Sequence, residues 1–281
     1  MKRRLAIVTD STVYLTERLR ANPDLYVMPI VIISEGREYE DGKGLTTEKL
    51  YDIIRNKDVP TTSQPSVGSF KELYEKLKED YEEILAVHVS SKLSGTMASS
   101  IAGMQEAGVT GEAVDSLSLS FAITDLIEKG QTLSNQGTGV KEIAARLREE
   151  ATGARNLIVP GKLDQLYKGG RMSGTSYMLG NLLKIMPILM INQEGELGLL
   201  ERVRAEKKAI GKLVSAVKKS CETSIVDQVG IMHGNAEVKA NELSQRLREE
   251  IPGLHTVIGE ISSSLAVHAG EDTIGIFWNE G

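Results

Sequence analysis

Residues 84–107 read ILAVHVSSKLSGTMASSIAGMQEA, which is an apolar run, a polar loop and a small-residue helical pattern in that order. The run at residues 84–89 predicts a strand that is covered on both faces. Serine, threonine and glycine dominate residues 90–96, and residues 96–107 predict a helix that starts inside this polar loop. A strand that leads directly into a helix is the repeating unit of a parallel α/β sheet.

The same alternation extends outward from this unit in both directions. Predicted strands lie at residues 4–9, 27–33, 84–89, 113–116, 157–159, 188–191, 197–203, 226–232, 255–260 and 273–278. Predicted helices lie at residues 15–20, 47–55, 69–80, 96–107, 120–131, 140–150, 163–167, 176–184, 207–218, 236–250 and 263–267. Residues 34–41 are polar, contain Gly36 and predict a hairpin turn or loop.

Two α/β domains are therefore expected. The N-terminal domain, residues 1–158, should carry a mainly parallel sheet. The C-terminal domain, residues 159–281, should carry a mixed sheet, because two of its strands flank a short turn that contains Gly195. The boundary is placed beside Pro160 and Gly161, which commonly interrupt regular structure.

Composition narrows the class of protein. The 281 residues are 41% hydrophobic and 26% charged, with a net charge of −6, which is typical of a soluble globular protein without a nucleic-acid partner. The apolar run at residues 5–8 is too short for a signal peptide or a membrane span. The single cysteine, Cys221, excludes an internal disulfide and fits a reducing cytoplasm. The four histidines lack zinc-site spacing, so a zinc site is not expected. No cofactor is expected either.

Hydroxyl-rich clusters follow several predicted strands, and one precedes a predicted helix. They lie at residues 9–12, 61–66, 90–96 and 115–116. The carboxyl ends of parallel strands line the crevice where ligands bind in open sheets, so these clusters could meet in space. Ser94 lies near a helix N-terminus, where free N–H groups favour an anion, and Gly95 permits close approach of a ligand. The ordinary alternative is that these hydroxyls only cap helices.

Other polar residues also allow two interpretations. Residues 61–66 are a rigid loop with a helix cap at Ser66 or Ser69, or a second hydroxyl platform that faces the same ligand as Ser94. Asp10 is interpreted as a loop cap. His268 is a structural histidine or a general base. A triad of Ser94, His268 and Asp10 is the alternative in which the protein is an acyl hydrolase or transferase, although Gly-x-Ser-x-Gly is absent.

Two later segments suit an amphiphilic ligand. Residues 168–171, Lys-Gly-Gly-Arg, combine a helix C-cap with an arginine that could meet an anion. Residues 178–191 form the most apolar stretch and could be ordinary core or the wall of an apolar tunnel. Hydroxyls beside such a wall would suit a molecule with a carboxylate head and a long tail.

The ordered set of motifs resembles the DegV family from about residue 4 to the C-terminus. The motifs are Thr-Asp-Ser-Thr at 9–12, Thr-Ser-Gln-Pro-Ser at 62–66, Ser-Lys-Leu-Ser-Gly-Thr at 91–96, Val-Asp-Ser at 114–116 and Lys-Gly-Gly-Arg at 168–171. The resemblance implies a two-domain protein that binds one long-chain fatty acid, like the FakB subunits of bacterial fatty acid kinase. Such a protein is a carrier without catalytic residues, whose kinase partner supplies ATP and forms an acyl phosphate; transient membrane contact is compatible with this role.

The resemblance also implies roles for particular residues. The carboxylate would be held by Thr62 and Ser94, within motifs that also contain Ser63, Gly95 and Thr96. His268 would lie near the same head group. Arg171 would help to present the acyl group to the kinase.

The sequence departs from the family pattern at several points. His-x-Gly-Pro-Gly is replaced by residues 268–272, His-Ala-Gly-Glu-Asp, and the two acids would disfavour a nearby carboxylate unless they point away. Met186-Pro187 stands where Lys-Pro is common, and residues 117–124 lack the expected glycines. These departures leave open a regulatory module that binds a protein partner.

Overall fold

The computed structural model describes residues 2–55, 60–161, 166, 169–172 and 186–281. Its strands within those ranges are β1 (Arg3–Asp10), β2 (Leu25–Met28), β3 (Val31–Ser34), β4 (Arg37–Glu40), β5 (Thr61–Ser63), β6 (Tyr81–His88), β7 (Gly111–Asp115), β8 (Ala154–Val159), β9 (Met186–Ile191), β10 (Leu197–Val203), β11 (Gln228–His233), β12 (His255–Glu260) and β13 (Ile274–Asn279). Its helices there are α1 (Glu17–Arg20), α2 (Thr47–Arg55), α3 (Val67–Asp80), α4 (Thr96–Ala107), α5 (Phe121–Asn135), α6 (Val140–Thr152), α7 (Glu206–Thr223), α8 (Glu237–Glu250) and α9 (Ser263–Ala269).

The first sheet has the strand order β2-β1-β6-β7, and all of its pairs are parallel. Strands β1 and β6 are buried over most of their length because helices cover both faces. Phe70 and Tyr74 of α3 pack on one face, and Ile123 and Ile127 of α5 pack on the other. The predicted parallel sheet of the N-terminal half is confirmed, and the loops after β1 and β6 leave from the same edge.

Residues 27–33 form parts of two strands in different sheets, so the prediction of a single strand is wrong. Strand β2 ends at Met28 beside β1, whereas β3 begins at Val31 and pairs antiparallel with β4 and β5. Pro29 lies at the break, and proline has no N–H to donate to a strand neighbour. The hairpin between β3 and β4 is present, with Glu35 and Gly36 both at positive φ in its two-residue turn.

The second sheet has the order β10-β9-β8-β13-β11-β12. Strands β11 and β12 are parallel and the other neighbours are antiparallel, which confirms the predicted mixed sheet. Apolar residues of α7 and α8, such as Leu213 and Leu243, pack with Ile231 and Ile276 on one face. The predicted domain boundary after residue 158 falls inside β8, which pairs with β13 in this second sheet. The domain division stays a prediction.

The opposite face of the second sheet packs against the N-terminal half. This core joins Ile158, Leu189 and Phe277 of the sheet to Leu50 of α2 and Phe121 of α5. Helix α2 also packs against α9. The apolar layer between the two sheets is where the candidate site lies.

Several predicted segments lie outside the described residues. They are the helix at residues 176–184, the first part of the apolar stretch at 178–191, and, apart from Leu166, the helix at 163–167. Strand β9 is the described end of that apolar stretch, and its Ile188 and Leu189 are buried. Among helices of the described ranges, none combines the length and apolar character needed to cross a membrane.

Candidate functional site

A cavity of about 920 Å³, including its open part, lies between the two sheets. Its wall is mostly apolar, and the second sheet contributes Ile158, Leu189, Leu197, Met232 and Phe277. Polar side chains also line it: Thr12, Thr62, Ser63, Gln64, Ser94, Arg171, Ser264, His268 and Thr273. A largely apolar cavity with a few placed polar groups is typical of a ligand site.

Thr62 and His268 meet at this cavity from opposite ends of the chain. Thr62 is the middle residue of β5, pairs with Ile32 of β3 and is half-buried between two exposed neighbours, as strand alternation requires. Its Oγ1 lies 2.8 Å from Nε2 of His268 on α9. The short strand β5 therefore aims one hydroxyl into the site, which the sequence pattern had described only as a rigid loop or platform.

The imidazole of His268 is held in its neutral form. Burial, with a smaller effect of the Arg171 charge, lowers the pKa of His268 from its ordinary 6.5 to about 4. Its Nδ1 is buried without a hydrogen-bond partner among the described residues. The ring is satisfied best with its hydrogen on Nε2, which then donates to Thr62 and leaves the Thr62 hydroxyl hydrogen free to donate. A donor aimed into an apolar cavity suits a carboxylate oxygen.

Ser94 lies in the loop after β6, just before α4. Its Oγ is 2.8 Å from Oγ1 of Thr96 and accepts a hydrogen bond from the Thr96 N–H at 3.3 Å. The capping residue of α4 is Gly95, and Ser94 lies one residue before it, where its oxygen accepts the first helical N–H while its own hydrogen stays available. When Thr96 donates to Ser94, the Ser94 hydroxyl is free to donate to a ligand. Thr96 itself is fully buried and supports Ser94 from behind.

Gly95 provides room for a neighbouring side chain at the mouth. A Cβ at this position would lie 2.9 Å from Nε2 of Gln64, so the Gln64 carboxamide rests on bare backbone. Gln64 lines the cavity, whereas Gly95 and Thr96 are absent from its described lining. The sequence analysis had not singled out Gln64, although it lies inside the 62–66 motif.

Arg171 is the one side chain with a permanent charge among the described lining residues. It is half-buried, and its Nη1 donates to the Gly169 carbonyl at 2.6 Å. A guanidinium beside neutral hydroxyls gives the cavity a positive potential at its polar end. This potential favours an anionic head group.

The two acids that depart from the family pattern are both paired with cations. Glu271 forms an ion pair with Arg55 of α2 and accepts a 2.7 Å hydrogen bond from Nδ2 of Asn235. Asp272 lies 3.4 Å from Nζ of Lys239. Neither carboxylate is among the residues that line the cavity. Because both carboxylates point away from the cavity, they do not repel a carboxylate bound inside it.

Asp10 is engaged elsewhere and does not complete a triad with Ser94 and His268. Its fully buried carboxylate lies 3.1 Å from Nδ1 of His88 and accepts the Val89 N–H at 2.9 Å. The Thr12 hydroxyl donates to it at 2.6 Å. Burial alone would raise the pKa of Asp10, but these hydrogen bonds, led by His88, outweigh it and lower that pKa. Asp10 thus ties the ends of β1 and β6 together.

The buried network continues from His88 away from the cavity. Nε2 of His88 lies 2.8 Å from Oγ of Ser100, and that oxygen lies 2.5 Å from the Tyr74 hydroxyl. All three side chains are buried, and Phe70 meets the imidazole edge-on. The sequence analysis missed this network because His88, Ser100 and Tyr74 belong to a strand and two different helices. Their contact depends on packing and leaves no local pattern.

The chain is similar to the members of one protein family over nearly its whole length. The family model described as "Uncharacterised protein, DegV family" matches residues 4–281. A DegV domain-containing protein of Caldanaerobacter subterraneus is 31% identical over 99% of both chains. Another, from Clostridium perfringens, is 33% identical over 96% of both chains.

Solved structures share the whole fold. A fatty acid binding DegV family protein from Streptococcus agalactiae superposes with a TM-score of 0.90 at 31% identity, covering 99% of both chains. A Thermus thermophilus DegV family protein, described by its fatty acid binding, gives 0.90 at 27% identity over 99% of this chain and 100% of that one. A Thermotoga maritima protein, described as revealing a fatty acid binding function, gives 0.85 at 29% identity over 99% of both chains.

Proposed function

Because this chain belongs to the DegV family, we propose that it binds one long-chain fatty acid in the cavity between its two sheets. The carboxylate lies at the mouth, where the hydroxyls of Thr62 and Ser94 donate to it. Ser63, Gln64 and the neutral ring of His268 surround the head group, and Arg171 adds positive potential. The tail extends inward along the apolar wall.

The observation that carries this proposal is the convergence of Thr62, Ser94 and His268 on one apolar cavity. These residues lie on β5, on the loop before α4 and on α9. Uncharged donors can stabilise a carboxylate without the desolvation cost of burying an opposite charge. Burial of each methylene of the tail contributes about 0.8 kcal/mol, so a long tail supplies most of the affinity.

The role of the bound acid is proposed to be presentation to a fatty acid kinase partner. Ser63 and Gln64 are exposed at the mouth, so a carboxylate held there would be reachable from outside. In the partner, a carboxylate oxygen would attack the terminal phosphorus of ATP, giving an acyl phosphate and ADP. Arg171, half-buried beside the head group, would help to hold the reacting oxygens. This chain would contribute the bound acyl group and no catalytic residue.

Native mass spectrometry of the purified protein, with lipid extraction of the same sample, tests the binding proposal. We expect a long-chain acid at about one molecule per chain, or its uptake when a delipidated sample receives palmitate. A delipidated protein that takes up no fatty acid would overturn the proposal. The kinase role is tested separately, by acyl phosphate formation with candidate kinases and ATP.

A further inference from the structure

Phe277 separates the tail cavity from a second cavity. The second cavity, of about 1020 Å³ including its open part, lies among α5, α6 and the C-terminal end of β13. Among the described residues, Phe277 is the only one that lines both cavities. The side chain of Phe277 therefore lies between the two cavities.

Phe277 lies at a distance from the residues proposed to hold the head group. Thr273 and His268 mark the head-group end, and Phe277 follows Thr273 by four residues, which is about 13 Å of extended chain. Strand alternation puts Gly275 and Phe277 on the same face of β13. A Cβ at Gly275 would lie only 3.0 Å from Cε2 of Phe277, so the ring lies close beside bare backbone. An incoming tail would meet this ring.

The space beyond the ring could accommodate more of a tail. Phe121, Ala122 and Leu126 give the second cavity an apolar side. Its charged side is Lys129, whose Nζ lies 2.6 Å from Oε2 of Glu150 and 3.3 Å from Oδ2 of Asp125. The ring of Phe277 thus lies between the first cavity, with its mostly apolar wall, and the cavity that contains these ion pairs.

We propose that Phe277 sets the upper limit on the acyl chain length that this protein accepts. This inference rests on the proposed binding of a fatty acid. A tail that reaches the ring gains no further burial from added carbons. Removing the ring joins the two cavities, and longer tails then continue into the second one.

The test is a binding series with saturated acids of about 12 to about 24 carbons, measured by calorimetry on delipidated protein. Affinity should rise about fourfold per added methylene while the tail is being buried. In the wild type the rise should stop at a definite length. In Phe277→Ala it should continue for several more carbons, and in Phe277→Leu for fewer.

A second readout uses the single tryptophan, Trp278, which lines the second cavity. Long acids that carry bromine on the terminal carbon quench a nearby indole. We expect quenching of Trp278 fluorescence by such acids in Phe277→Ala and much less in the wild type. This signal reports directly that the tail end has passed the position of the ring.

The other two phenylalanines of the chain provide matched controls. Phe121→Ala removes a buried ring that lines only the second cavity, and Phe70→Ala removes one that lines neither. Both should keep the wild-type length limit. If the wild type binds no acid, the proposed function fails and this inference with it. If the wild type binds but the Phe277 variants keep its limit, this inference alone is overturned; should Phe277→Ala not fold, Phe277→Leu decides.

Discussion

The polar end of the cavity, where we propose that the head group binds, combines uncharged donors with an imidazole that stays neutral. Thr62 and Ser94 each have a neighbouring group, His268 or Thr96, that can donate to them and so direct their own hydrogens outward. With the hydrogens arranged in this way, both hydroxyls are donors to an arriving carboxylate. The affinity for a fatty acid and the pH dependence of the protein's stability should therefore both depend on a few side chains at this end.

Replacing both Thr62 and Ser94 by alanine should weaken fatty acid binding. A hydrogen bond to a charged group contributes about 1.5–3 kcal/mol, so the double variant should bind at least about 100-fold more weakly. Isothermal titration with palmitate measures the change. The control is Thr61→Ala with Ser91→Ala, two exposed neighbours outside the cavity lining. Equal affinity of the two double variants would contradict the head-group assignment.

His268 should make the ligand-free protein less stable in mild acid. Its folded pKa of about 4 lies below its ordinary value of 6.5, so the unfolded chain takes up the proton first and stability falls as the pH drops through this window. The loss should reach about 2 kcal/mol near pH 5. His268→Gln should lose correspondingly less between neutral pH and this value in denaturant unfolding. His255→Gln, at an exposed histidine, should behave like the wild type.

At the scale of elements, the cavity depends on how strand ends and short strands are held. The carboxylate of Asp10 joins the ends of β1 and β6, the two central strands of the first sheet. Strand β5 is only three residues long, yet its pairing with β3 fixes which way Thr62 points. Substitutions at these contacts should lower the free energy of unfolding, because each contact is buried or links segments that are distant in the sequence.

Asp10→Asn should destabilise the protein strongly. The amide NH₂ would face at least one of the donors that now reach the carboxylate, and an unmatched buried polar group costs about 1–3 kcal/mol, more when a charge interaction is lost. Asp115→Asn is the matched control, because Asp115 ends the neighbouring β7 and accepts two backbone N–H groups while only half-buried. Chemical denaturation of both variants gives the comparison. A smaller loss for Asp10→Asn than for Asp115→Asn would contradict the structural role given to Asp10.

At the scale of the whole molecule, the cavity lies between the two halves of the chain. Thr62 and Ser94 come from the N-terminal half, whereas Leu189, Met232 and Phe277 of its apolar wall come from the second sheet. A bound fatty acid would therefore contact both halves at once and stabilise them together.

Added palmitate should raise the thermal midpoint of delipidated protein. At a free concentration of about 100 times Kd, binding adds about 2.7 kcal/mol, which corresponds to a shift of roughly 5 °C or more for a chain of this size. Differential scanning fluorimetry measures the shift. The Thr62→Ala, Ser94→Ala double variant at the same ligand concentration should shift much less. A thermal midpoint of the wild type that does not change when palmitate is added would contradict the account.

Much of this architecture could be predicted from local patterns, and the exceptions have physical reasons. The long apolar run of β6 and the helix after it predict a parallel sheet, because a strand buried on both faces needs helices on both. The break between β2 and β3 was missed because residues 27–33 are apolar throughout; Pro29 marks the break, but the pairing partners show that the two parts enter different sheets. Local pattern predicts what an element is better than which neighbour it pairs with.

The candidate site was also predicted better in its residues than in its contacts. The hydroxyl clusters alone allowed either helix caps or a shared ligand site, and the family resemblance implied that Thr62 and Ser94 hold one carboxylate; both line one cavity. The directions of Glu271 and Asp272 could not be predicted, because they depend on Arg55 and Lys239 in remote helices.

The most direct test of the whole account is a crystal structure of the protein with palmitic acid brominated at its terminal carbon, in which anomalous scattering locates the tail end. The account predicts carboxylate oxygens within hydrogen-bond distance of Thr62 Oγ1 and Ser94 Oγ, with the bromine inside the apolar cavity towards Phe277. Bromine at the mouth with the carboxylate deep inside, or an acid bound at another place, would contradict it.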